Sequence, residues 1–254
     1  MRTMAKAVMV HDSENEPCVA HLTLTGEFEL AVDGQTLAVP HSAERVLAYL
    51  ALADRSVSRT RLAGTLWLDR TEERAAKGLR TALWRLHRVC TDLVAARDDR
   101  LQLSPGVAVD ATEVADLAGQ LIRQPDSEAI ARFPLLVEHA ELLPDWDDDW
   151  VVTDRERFRL LRLEALECVT STLLDQGRFG EALIVALAAV QSDPLRESAR
   201  RLLVQVHLAQ GNVGTAIAVY HEYRALLQTE YGVEPSRVMV LLLEDYRRGG
   251  ATSS

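Results

Sequence analysis

Cysteine, lysine and aromatic residues are scarce in this 254-residue chain, and the cysteine pattern closes an option. Cys18, Cys90 and Cys168 are odd in number and far apart, with no CxxC or Cys/His metal spacing. That pattern excludes a disulfide framework or zinc module read from spacing and leaves reduced thiols as the default. No stretch is apolar enough to span a bilayer, and the apolar run at 7–10 is too short for the core of a signal peptide. A cytoplasmic protein with no membrane partner is expected. The seven histidines are scattered, without an HExxH arrangement, and no GxxxxGK[ST] loop occurs. No catalytic constellation emerges, so neither enzyme activity nor a cofactor is expected. The DWDDDW run at 145–150 lacks the sharp-turn Gly and closing Glu of a calcium loop. Its tryptophans are expected to anchor a loop and its aspartates to approach a helix N-terminus, with no metal.

What is present is Ala, Leu and Val in quantity, with 48% hydrophobic and 26% charged residues. This is a globular composition leaning towards helix, and its length suits one large domain or two ordinary ones. Net charge is −10, which by itself disfavours nucleic acid. The distribution is uneven. Between Glu44 and Cys90 there are 10 Lys and Arg against 5 Asp and Glu, while from Ala111 onwards there are 14 against 23. A local basic patch governs phosphate binding more than the global sum does.

The basic excess surrounds residues 72–93, EERAAKGLRTALWRLHRVCTDL. At 100° per residue, Ala75, Ala76, Leu79, Ala82, Leu83, Leu86, Val89 and Cys90 form one stripe of a helix. The opposite stripe carries Arg74, Lys77, Thr81, Trp84, Arg85 and Arg88, with Arg80 on its flank and no acidic side chain. A solvated surface helix can look like this, so its neighbours decide.

Upstream, residues 19–40 alternate at period two through Leu22, Leu24, Phe28, Leu30, Val32, Leu37 and Val39, with a hairpin turn at Asp33-Gly34. Ser42 and Ser58 each begin a helix, the first through Asp54 and the second to Trp67. Downstream, Val94 and Ala96, a turn at Asp98-Asp99, and Leu101 and Leu103 return to alternation, followed by Val107 and Val109. Strands, three helices and a hairpin, with the cations on the third helix, describe a winged helix-turn-helix. A helix of about 10–12 Å diameter fits the major groove. The groove-facing set is then Arg74, Lys77, Thr81, Trp84, Arg85 and Arg88. Arg80 and Arg61 are candidates for phosphates. Arg97 and Arg100 flank the wing turn, where Asp98 and Asp99 offset their charge, and at most one of them is expected to reach DNA.

Residues 22–110 resemble the DNA-binding half of the antibiotic regulatory protein family of bacterial transcriptional activators. The resemblance rests on LTLTGEFELAVDGQTL, RVLAYLALADRSVSRTRLAGTLW and AAKGLRTALWRLHR. Two positions depart. Gly78 lies mid-helix, where Gly costs about 1 kcal/mol relative to Ala, so a close approach or mild strain is expected there. His87 stands where the family usually shows an arginine.

In the C-terminal half, helices are read at 111–124 and 127–138, and from Arg155 to about Arg248. Gln176-Gly177 recurs at Gln210-Gly211, and Ala182-Leu183 at Ala216-Ile217, the 34-residue tetratricopeptide period. This half resembles the bacterial transcriptional activator domain through LLPDWDDDWV, ERFRLLRLEALE, LDQGRFGEAL, QSDPLRESARRLLVQVHLAQGN and AIAVYHEYRALLQTEYGVEPS. The expected architecture is mainly α with small β. It comprises a flexible leader at 1–18, a winged helix-turn-helix with small sheets at 19–110, an all-helical tetratricopeptide-like domain at 111–248 and a tail at 249–254. The resemblance implies a stand-alone activator without the NTPase module of larger relatives. It further implies promoter DNA as partner, commonly in direct repeats bound head to tail as a homodimer. RNA polymerase, through its sigma factor and alpha C-terminal domain, is the implied protein partner, and antibiotic biosynthesis the regulated process. The alternative is a helical-repeat adaptor whose winged helix binds protein and not DNA.

Overall fold

Asp33 and Gly34 both take positive φ, 50° and 77°, the pair of left-handed conformations that closes a two-residue hairpin with the right twist. The computed structural model describes residues 19–53, 55–139 and 141–249. The expected leader and residues 250–254 of the expected tail lie outside them. In chain order the first part forms β1 (Ala20–Thr23), β2 (Glu29–Val32), β3 (Gln35–Thr36), α1 (His41–Ala53), β4 (Val57–Ser58), α2 (Arg59–Leu66) and α3 (Glu72–Val89). It continues with β5 (Val94–Arg97), β6 (Arg100–Leu103) and β7 (Val107–Val109). Then come α4 (Asp110–Arg123), α5 (Ser127–Ala131), α6 (Pro134–Glu138), α7 (Asp149–Asp175), α8 (Phe179–Ser192), α9 (Glu197–Ala209), α10 (Val213–Tyr231) and α11 (Arg237–Gly249).

These elements divide into two compact units. One is built on the chain up to Leu22 and on Glu29–Ala108, the other on Thr23–Phe28 and the chain from Val109 onwards. In the first unit one sheet has the order β3-β2-β1-β7 and the other β4-β6-β5. The Val107–Val109 strand, which the sequence places after the wing, belongs to the N-terminal sheet. Val107 donates to the Ser104 carbonyl at 3.0 Å, and this bend at Pro105-Gly106 redirects the chain. The wing is β5 and β6, antiparallel with Arg97 opposite Arg100, and Asp98 takes φ 53° in its two-residue turn. Three helices pack on it through Val46, Leu47, Leu50, Leu62, Leu66, Leu79 and Leu86, all buried, with Leu93 and Leu101. Each such leucine contributes about 1.5–3 kcal/mol by leaving water.

Cys90, the C-cap of α3, is disulfide-bonded, which corrects the expectation of reduced thiols there. Distance along the chain says nothing about distance in space, and it is the latter that lets two sulfurs bond.

The second unit is helical apart from its first segment. Thr23–Phe28, expected inside the N-terminal domain, is held by Asp110. The buried Asp110 carboxylate accepts from the Leu24 and Ala111 amides at 2.8 and 2.6 Å, from the Thr25 amide at 3.0 Å, and from the Thr25 hydroxyl. That hydroxyl has one hydrogen, so His139 Nδ1, 2.5 Å away, carries the proton and donates to Thr25 Oγ1. The helix expected over 127–138 divides into α5 and α6. Pro134 has no N–H to donate into a continuing helix but suits the first turn of a new one.

Trp146 is buried between Phe28 (ring centroids 5.8 Å apart) and the edge of Trp150 (6.2 Å), so the tryptophans do anchor the acidic loop. Arg155 clamps the same loop through the carbonyls of Leu142, Leu143 and Trp146. Asp148 is the N-cap of α7, where a carboxylate faces the positive end of the helix. The 34-residue repeat appears as two helical hairpins, α7–α8 and α9–α10. Gly177 and Gly211 take φ 71° and 76°, and Arg178 and Asn212, one residue on, reach back to the carbonyls of Leu173 and His207. Both hairpins therefore share one left-handed glycine stop. Ala182, Ala186 and Ala189 of α8 are fully buried, letting neighbouring helices close in. In the second hairpin Tyr223 fills the corresponding space, with its hydroxyl donating to the Leu195 carbonyl at 3.2 Å.

Candidate nucleic-acid interface

The helix α3 buries Ala75, Leu79, Ala82 and Leu86 and leaves the opposite side bare. Its orientation is set from two directions. The preceding helix is capped by Ser58, whose hydroxyl accepts from the Arg61 amide at 3.3 Å, and ends at Trp67. Trp67 then lies against Gly78, where an added Cβ would come within 2.9 Å of the indole. The mid-helix glycine is therefore explained by close approach. Glu72 and Glu73 occupy the first turn and His87 and Arg88 the last, so both ends complement the helix dipole.

Arg74, Lys77, Arg80, Thr81, Trp84, Arg85 and Arg88 are all exposed. The first three turns bring Arg74, Lys77 and Thr81 onto one line with Arg85 and Arg88. None of the arginines on this helix, nor Lys77, is tied to a carboxylate by an ion pair among the described residues. Trp84 is 57% exposed, and the Arg88 guanidinium sits over its ring 5.1 Å from the centroid. Thr81 donates its hydroxyl hydrogen to the Lys77 carbonyl at 3.0 Å.

Arg61 is exposed in the first turn of α2. The two wing arginines differ. Arg97 is exposed, whereas Arg100 is turned back on Ser56, donating to its hydroxyl at 2.8 Å and to its carbonyl. One tie escaped the sequence. The Arg59 amide donates to the Asp99 carbonyl at 2.9 Å, joining the start of α2 to the tip of the wing. It depends on β4 pairing with β6, a long-range register that local periodicity does not reveal. The half-buried Arg59, which did not belong to the expected set, thus starts α2 at the wing tip.

Comparison with known proteins matches residues 109–245 to the bacterial transcriptional activator domain. The chain belongs to this family. Its relatives place it with the antibiotic regulatory protein family, as the resemblance implied. The regulatory protein AfsR of Streptomyces coelicolor is 30% identical over 217 residues, covering 80% of this chain and 22% of that protein. AfsR of Streptomyces griseus is 26% identical over 211 residues, covering 77% and 21%. The chain thus spans about a fifth of the length of these curated relatives. In fold it is similar to Mycobacterium tuberculosis EmbR, solved in complex with a low-affinity phosphopeptide. That match has a TM-score of 0.71 at 17% identity and covers 91% of this chain and 66% of that one. Among the described residues no helix of this family member is long and apolar enough to cross a membrane.

Proposed function

We propose that the protein is a sequence-specific DNA-binding activator. In this reading α3 enters the major groove of promoter DNA with Arg74, Lys77, Thr81, Trp84, Arg85 and Arg88 towards the bases, and Arg80 and Arg61 take phosphates. Arg97 at the wing reaches the neighbouring backbone. The observation that carries it is the exposed cationic stripe on a helix whose other side is fixed in a core. Arginine there can fork onto guanine or bind phosphate, while the wing holds the helix at a set distance from the backbone. The acidic helical unit, with its stacked repeats, recruits RNA polymerase through sigma and the alpha C-terminal domain. Direct repeats in the promoter, a head-to-tail dimer on them and control of a biosynthetic gene cluster complete the proposal.

The test is duplex binding by the full chain across a salt series, with genomic footprinting to supply the sites. Several phosphates neutralised should make log K fall with log salt at a slope of about −0.9 per phosphate. Arg85→Ala combined with Arg88→Ala should remove promoter binding and leave the thermal melt nearly unchanged. A flat salt response with no duplex binding would instead favour an adaptor whose winged helix grips protein.

A further inference from the structure

Two side chains in the middle of the cationic stripe carry no charge. Thr81 commits its single hydroxyl hydrogen to the Lys77 carbonyl one turn earlier. What it offers outward is an oxygen that can only accept, together with a methyl group. Three residues further on, Trp84 presents an exposed indole whose ring is steadied by the Arg88 guanidinium. Residues three apart on a helix are neighbours, about 5–6 Å between Cβ atoms, so the acceptor and the apolar surface address adjoining points in the groove.

The four bases offer few ways to satisfy both. In the major groove a G·C pair shows two acceptors and the cytosine N4 donor but no methyl. An A·T pair shows the adenine N6 donor and the thymine C5 methyl. We propose that Thr81 and Trp84 together read an A·T base pair. Thr81 Oγ1 accepts from adenine N6, and Trp84 with the Thr81 methyl packs on the thymine methyl, between positions read by arginine. The inference rests on the reading of α3 as the groove helix and adds the base pair that its uncharged centre selects. Arg88 acts here as a positioning residue as well as a cation, because removing it frees the indole.

The experiment selects tight duplexes from a randomised pool with the full chain, then alters single atoms groups in the winner. Uracil in place of each thymine removes only the methyl, and purine in place of each adenine removes only the N6 amino group. At one pair, uracil should weaken wild-type binding about fourfold, as for one lost buried methyl group. Purine at the same pair should weaken it about tenfold, as for one lost base hydrogen bond. Trp84→Ala should erase the uracil effect while Trp84→Phe keeps it. Thr81→Val should erase the purine effect.

The inference is overturned if every uracil and purine substitution stays within about twofold in the wild type. It is equally overturned if both effects persist in Trp84→Ala and Thr81→Val, or if Trp84→Phe loses the uracil effect as Ala does, which assigns the indole N–H to a phosphate. Failure of the groove reading looks different: no duplex is enriched from the pool, and this inference falls with it.

Discussion

The indole of Trp67 occupies the place where a side chain at position 78 would begin: a Cβ on Gly78 would lie 2.9 Å from its Cε2 and 3.1 Å from its Nε1. Helix propensity alone favours Gly78→Ala by about 1 kcal/mol. The clash acts against that gain, because the ring must shift before α2 and α3 can pack again. Gly78→Ala is therefore expected to lower Tm despite the better helix former. Combining it with Trp67→Ala should make the alanine stabilising relative to Trp67→Ala alone. A calorimetric double-mutant cycle measures this, and additivity of the two changes would remove the packing explanation.

The wing arginines separate a structural cation from a free one. Arg100 fastens β6 to Ser56 through hydroxyl and carbonyl, while Arg97, opposite it in the ladder, is exposed without such a tie among the described contacts. Arg97→Ala should reduce the salt slope of DNA binding by about one unit and leave Tm alone. Arg100→Ala should lower Tm and leave the slope almost intact. A salt titration beside a melt for each variant checks the assignment, and exchanged phenotypes would refute it.

Asp110, itself buried, holds the Thr23–Phe28 segment by accepting from the Leu24 and Thr25 amides and the Thr25 hydroxyl, and it also accepts from the Ala111 amide. Asp110→Ala strands several buried donors, each worth about 1–3 kcal/mol when left unsatisfied. A loss of about 3 kcal/mol or more is expected, with fast amide exchange at Leu24 and Thr25 as its local signature. Asp110→Asn retains an acceptor and should lose less. Unchanged exchange at those two amides in Asp110→Ala would show that the carboxylate does not hold the segment.

The sequence disclosed whatever depends on neighbours within a few residues. Ser58 capping α2, the Asp33-Gly34 turn and the 34-residue glycine stops at Gly177 and Gly211 are local chemistry, and all appear in the structure. The exposed side of α3 followed from its periodicity in the same way. Long-range pairings were not legible. Leu24 reads as one more alternating strand residue, yet its amide goes to Asp110, 86 positions away. Arg162 reads as one arginine of many, yet it is buried against the Leu136 carbonyl and the Ser192 hydroxyl, and burial pushes its pKa down to about 10. A fragment cut at 110 would carry the Thr23–Phe28 segment without most of the unit that surrounds it. DNA binding is therefore a property to measure on the full chain and not on such a fragment.

His207 gives the helical unit a pH dependence whose sign is fixed by its surroundings. It lies on α9 with Nδ1 buried and lacking a hydrogen-bond partner, and desolvation holds its pKa below the ordinary value of 6.5. The folded state thus prefers the neutral ring, while the unfolded chain takes up a proton as pH falls through about 6.5. Stability attributable to this residue is intact above that value. It declines as pH drops below it, until the folded ring protonates too. His207→Gln cannot titrate, so the Tm difference between variant and wild type should move in the variant's favour from about pH 7.5 to about pH 5.5. Other titrating groups are common to both proteins and cancel in the difference. A Tm offset that stays constant across that range would mean that the His207 imidazole is not the group that charges.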